Sequence, residues 1–226
     1  MRRTLQGVAL VLGLMMTTSP GSAETVRLLP DRDTTLFEDN RQSEPALGEL
    51  SSGAGQWLFT GLGPKNRRAL LRFDLGALPA SAEIVSAKLE MTVDRTRCGP
   101  SPVRLHRLLA DWGEAGSSTD HLGGGGGGAQ ARPDDATWLH RFYDQQLWQE
   151  AGGDYVAEAS AEIAVDQEGT YEWMGLAPDV QRWLAEPATN FGWIAIGEET
   201  EAPTTKRYFS REGTTGPQLE ITFRLP

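Results

Sequence analysis

The sequence predicts an all-β fold: an antiparallel β-sandwich of jelly-roll form, with one short helix near residues 178–185. Three observations point there. Period-two alternation recurs, most clearly from Glu83 to Val93, where Ala87, Leu89, Met91 and Val93 share one face and Ser86, Lys88, Glu90 and Thr92 the other. Gly, Pro, Asn and Asp fall between nearly all such runs. Helical periodicity hardly appears, so each sheet must cover its apolar face with another sheet.

Taken in order, strands are expected at Thr25 to Leu29, Gln56 to Thr60 and Ala69 to Leu75, the last with Leu71, Phe73 and Leu75 inward. The alternating Glu83 to Val93 run follows, then Val103 to Leu109, Ala161 to Val165 and Thr170 to Trp173. Phe191 to Gly197, Lys206 to Ser210 and Gln218 to Arg224 complete the set, with Leu219, Ile221 and Phe223 inward in the last. The helix is expected from Pro178 to Ala185, because Pro178 suits a first helical position and Val180, Trp183 and Leu184 fall at i, i+3 and i+4; Pro187 stops it. From Asp134 to Trp148, Leu139, Tyr143 and Leu147 keep helical spacing, yet a long aromatic loop would read the same, so helix and ordered loop both stay open. Six consecutive glycines, 123–128, predict a flexible Gly-rich loop over 122–129, since ordering such a run costs much backbone entropy.

At the N-terminus, Arg2 and Arg3 precede an apolar run from Val8 to Met16 and a small-residue stretch ending at Ala23, the layout of a signal peptide over 1–23. That run is about nine residues long, where a spanning helix needs roughly 20. A secreted protein is therefore expected (extracellular, periplasmic or at the cell surface), with no membrane insertion and a single domain over 24–226. Losing Arg2 and Arg3 takes the formal charge from −10 to −12, and no basic stripe follows, which argues against nucleic acid as a partner. Cys98 stands alone, so the core must hold without an intrachain disulfide.

Catalytic signals are sparse. His106, His121 and His140 form no spaced metal set, a G-x-S-x-G nucleophile motif is missing, and the numerous carboxylates read most simply as a solvated acidic surface. Asp31, Asp33, Asp39 and Asn40 gather oxygen ligands that would suit a structural Ca²⁺, although they match no EF-hand loop. The connection from Asp111 to Asp154 is rich in aromatics, and Trp112, Trp138, Arg141, Tyr143 and Trp148 are its candidate ligand-binding residues. Sugar rings stack their C–H faces on exposed Trp and Tyr while an Arg binds hydroxyls; the plainer alternative for each ring is a satellite core beneath the loop.

Several segments together resemble the DNRLRE family, the disaggregatase-related domains allied to carbohydrate-binding modules. They are DTTLFED at 33–39, RRALLRFDLGALPASAEIVSAKLEM at 67–91, VRLHRLLADWGE at 103–114 and DATWLHRFYD at 135–144. WQEAGGDY at 148–155, DVQRWL at 179–184, NFGWIAIG at 190–197 and YFSREGTTGPQLEI at 208–221 continue the likeness in the family's order. The resemblance implies a jelly-roll accessory module, with carbohydrate binding known for some members. The expected departures from the family's setting are a domain that stands without a catalytic partner and the glycine run. Its leading function is then a non-catalytic module binding a polysaccharide or cell-surface glycan. The alternative is a structural or adhesive protein of the envelope or extracellular matrix, with buried rings and self-association. A polysaccharide lyase or hydrolase is the third reading, and oligomeric state is left open.

Overall fold

A computed structural model of the chain describes residues 22–38, 48–118, 125–201 and 203–226. Most of the expected signal peptide, together with Asp39, Asn40, His121, Leu122 and the first two glycines of the run, lies outside the described residues. Along the chain, β1 (Ala23–Leu28) and β2 (Arg32–Phe37) lead to the two-residue β3 (Leu50–Ser51), then to β4 (Trp57–Leu62), β5 (Asn66–Arg72), the long β6 (Glu83–Thr96) and β7 (Ser101–Arg107). Short strands β8 (Ala129–Gln130), β9 (His140–Phe142) and β10 (Gln146–Leu147) come next, before β11 (Ala161–Val165) and β12 (Gly169–Trp173). Helix α1 (Ala177–Ala185) and a 3₁₀ turn at Pro187–Thr189 precede β13 (Trp193–Ile196), β14 (Lys206–Phe209) and β15 (Gln218–Arg224).

Eleven of the strands among the described residues form one large, curled antiparallel sheet that folds into two layers, the all-β sandwich the alternation predicts, while β3 pairs with β8 and β9 with β10 in two small ladders. The first layer runs β1-β15-β6-β14-β4, with β12 also on β6; the second runs β5-β13-β7-β11, with β2 also on β5. β4 belongs to both, because Trp57 to Thr60 pair with β14 while Gly61 and Leu62 pair with β5. Gly61 makes the bend at φ +85°, and a Cβ there would stand 2.7 Å from the Thr204 carbonyl oxygen, so only glycine fits.

Between the layers lies the main core. Leu89, Met91, Tyr208, Leu219 and Ile221 from the first layer meet Ala69, Leu71, Leu105, Trp193 and Ala195 from the second, and α1 closes one end with Val180, Trp183 and Leu184. Trp183 packs edge-on against Trp193 at 4.5 Å, and Asp179 in the first helical turn accepts a 2.8 Å bond from the Trp193 indole and pairs with Arg107 at 2.9 Å. The second layer is apolar on its outer face as well. Leu36, Leu70, Ile194 and Ile196 point there, each one residue out of phase with the main core, and the 108–155 segment covers them. Lys206 is wholly buried, its ammonium donating to the Thr96 hydroxyl at 2.9 Å and to the carbonyls of Gly99 at 2.8 Å and Cys98 at 3.3 Å.

Most expected strands appear within a few residues of their predicted places. Residues 134–148 resolve to an ordered loop carrying the β9–β10 hairpin, not a helix. Asp134 and Asp144 turn the backbone through positive φ, and the Tyr143 amide returns to the Asp135 carbonyl at 2.7 Å, which no helix allows. No helix among the described residues is long and apolar enough to cross a membrane.

Candidate functional site

The structure brings the sequence-nominated residues together, but as packing. Trp112 is fully buried and donates to the Phe191 carbonyl at 2.8 Å, with the Arg32 guanidinium over its ring at 5.0 Å. Trp138 and Trp148 are 6% and 5% exposed; Arg68 lies 4.7 Å over the first, and the second donates to the Thr137 carbonyl at 2.9 Å. The ring faces of all three tryptophans are therefore covered, and the stacking platform expected from Trp112, Trp138 and Trp148 does not form. The reason is the apolar outer face of the second layer, which the rings seal. Arg141 and Tyr143 reach the surface at half burial, Arg141 toward the Asp111 carbonyl and Tyr143 against His140. The expected Ca²⁺ ligands separate too: Asp31 pairs with Arg72, Asp33 turns to a different set of carboxylates, and Asp39 and Asn40 lie outside the described residues.

The concave feature with the strongest chemistry lies elsewhere. A cavity of about 540 Å³ is lined by Arg67, Arg95, Arg97 and Arg207, by Phe59, Pro64 and Pro203, by Thr205, and by Gly63 and Gly125 to Gly128. Strand register explains the gathering. Arg207 pairs across the sheet with Phe59 on β4 and with Arg95 on β6, so these three stand in one row on the outer face; Arg97 follows two residues beyond Arg95. Arg67 comes from β5, opposite Gly61 at the β4 bend, and its missing neighbour side chain leaves the guanidinium room to lie near the Phe59 ring, 5.9 Å from its centroid.

The four arginines differ in how they are held. Arg207 is fixed, bonded through two nitrogens to Asp94 at 2.8 and 2.6 Å and stacked 4.5 Å over Trp57. Arg67 is only 7% exposed, and its guanidinium reaches neutral oxygens alone: the Gly126 carbonyl at 2.8 and 2.5 Å, with the Lys65 carbonyl and Thr205 hydroxyl at 3.4 Å. Burial, and then the positive charge of Arg97, pull its pKa below the ordinary guanidinium value. Arg95 and Arg97 are exposed and make no ion pair with any described residue. Gly126 rests on the Phe59 ring, and Gly128, at φ +73°, approaches Phe37 so closely that a Cβ would sit 3.0 Å from it. Gly128 therefore has to be glycine, whereas a side chain at Gly126 or Gly127 would find room.

Such a site can bind negative charge. A guanidinium offers a planar fork matched to carboxylate, sulfate or phosphate oxygens, and one that is buried without a counter-ion gains most from acquiring it. The described lining is arginine, glycine, proline, phenylalanine and threonine, with no His, Cys, Asp or Glu among the described residues. In the sequence, the only local signal was Arg95-x-Arg97 at the end of an alternating strand, two cations on one face; Arg67 and Arg207 join them only through pairing across the sheet. No family model and no curated protein matches the chain.

Proposed function

We propose that the chain is a secreted, non-catalytic binding module whose arginine pocket takes an anionic polysaccharide, one carrying carboxylate or sulfate groups. The observation that carries this reading is the concentration of four arginines around one cavity in a chain of net charge −10, three of them without a carboxylate partner among the described residues. Phe59 and the two prolines give the cavity apolar surface for sugar C–H faces, and the Thr205 hydroxyl can bond a ring hydroxyl. The resemblance to DNRLRE domains implies carbohydrate binding for some members, without specifying its charge, and the leader-like N-terminus supports the compartment.

The test is titration calorimetry of the purified protein against polyuronate, sulfated and neutral polysaccharides. Saturable binding to an acidic polymer is expected, weakening as salt is raised because the contacts are charge pairs. The double change Arg95→Ala, Arg97→Ala should lower affinity at least about tenfold, the scale of one to two lost charge-assisted bonds, with the melting temperature little changed because both side chains are exposed. Equal binding of neutral and acidic polymers, or none at all, rejects the reading. Burial of the three tryptophans favours one second reading, a structural or adhesive component assembling through its strand edges; sedimentation that shows concentration-dependent self-association without polysaccharide binding would select it.

A further inference from the structure

A second set of charges lies where three distant pieces of chain meet. Asp33 sits in β2, Glu114 in the segment after β7, and Glu212 in the turn after β14; one ligand oxygen from each lies within 4.8 Å of the others. Arg211 threads among them. Its amide donates to Asp33 Oδ2 at 2.8 Å, its guanidinium to Glu114 Oε1 at 2.6 Å and Glu212 Oε1 at 2.7 Å, and a third nitrogen to the Asp31 carbonyl at 2.6 Å. When all three carboxylates are ionised, they exceed the one guanidinium by two negative charges. Asp33 is 1% exposed, and its other oxygen, Oδ1, is buried and accepts no hydrogen bond. A buried carboxylate oxygen without a partner is costly, and native structures supply one as protein, water or ion.

We infer that Asp33, Glu114 and Glu212 are the carboxylate ligands of a Ca²⁺ site that ties the turn after β14 to β2 and to the segment after β7. The donor set is all oxygen, which selects a hard cation over Zn²⁺ or Cu²⁺. Three oxygens within 4.8 Å of one another leave room for one ion no more than about 2.8 Å from each, close to the Ca²⁺ distance of about 2.4 Å, and Ca²⁺ accepts the irregular geometry that a strand, a loop and a turn present better than Mg²⁺, which demands a regular octahedron at about 2.1 Å. The two positive charges of Ca²⁺ match the excess that the three carboxylates carry once ionised, so binding displaces the protons they otherwise hold. Glu212 and Arg211 face solvent, which gives the ion its entry. No residue of this cluster lines the arginine pocket, so the site stands or falls separately from polysaccharide binding.

The experiment is thermal unfolding and calorimetry of the purified protein at neutral pH, first in chelator and then with Ca²⁺ or Mg²⁺. The expected result is a melting temperature several degrees higher in Ca²⁺, a smaller rise in Mg²⁺, and one ion bound per chain. Glu212→Gln, an exposed change that leaves the fold intact, should weaken Ca²⁺ binding at least tenfold and abolish most of the rise. Arg211→Gln should tighten it, since it removes the competing cation; a purely structural salt-bridge cluster would instead lose stability and gain no Ca²⁺ affinity. The absence of any Ca²⁺-dependent rise in the unaltered protein, or a rise of undiminished size in Glu212→Gln, overturns the inference.

Discussion

Asp33 and Glu114 are acids that the fold holds far from their ordinary behaviour. Burial pushes Asp33 up to about 7, against the pull of the Arg211 amide, and burial pushes Glu114 up to about 8, against the pull of the Arg211 guanidinium; the charge of Glu212 adds to both rises, and that of Asp33 to the rise of Glu114. An acid whose pKa is higher in the folded than in the unfolded chain binds extra protons when folded. Its contribution is therefore fully present below about pH 4, the unfolded value, and is lost as pH climbs to about 8. In chelator, the denaturation midpoint should fall from pH 5 to pH 8, and Asp33→Asn, which cannot ionise, should flatten that fall. Urea titrations at four pH values measure it, and a midpoint that rises over this range contradicts the assignment. None of this was legible in the sequence, where Asp33 was grouped with Asp39 and Asn40 by nearness in the chain. Its actual partner, Glu114, is 81 residues away and arrives only because the segment after β7 folds back over β2.

At the scale of elements, what the sequence revealed depended on how many faces a strand buries. β6 and β15 bury one face and wet the other, so their alternation predicted both strand and orientation, and β15 was placed to the residue. β2 and β13 are buried almost throughout, so TTLF and WIAI lose the period-two signal; β13 was found by its apolar run, whereas β2 entered only through the family likeness. The aromatic connection stood out in the sequence through its rings. Whether those rings faced water or protein depended on the outer face of the second layer, which no local pattern encodes. Because Trp138 seals that face, Trp138→Ala should cost about 3–5 kcal/mol in urea unfolding, while the polysaccharide affinity of the still-folded protein stays unchanged. A large loss of affinity at unchanged stability would return the function to this segment. The arginine pocket was illegible for a related reason: its row of side chains is written across three strands, one residue from each.

For the molecule as a whole, the second layer shares its strands between two apolar clusters, so the sandwich and the aromatic cover have no seam along which to come apart separately. Cooperative opening of this kind can be watched through chemistry that needs no probe added to the sequence. The chain has three lysines, Lys65, Lys88 and Lys206. An amine must meet a reagent before it can be acylated, and that of Lys206 cannot while Thr96, Cys98 and Gly99 enclose it. Lys65, at the surface turn between β4 and β5, should be labelled by an activated ester within minutes, whereas the peptide bearing Lys206 should gain mass only as fast as the sandwich opens. Read by mass spectrometry, that one amine becomes a timer for the lifetime of the folded state.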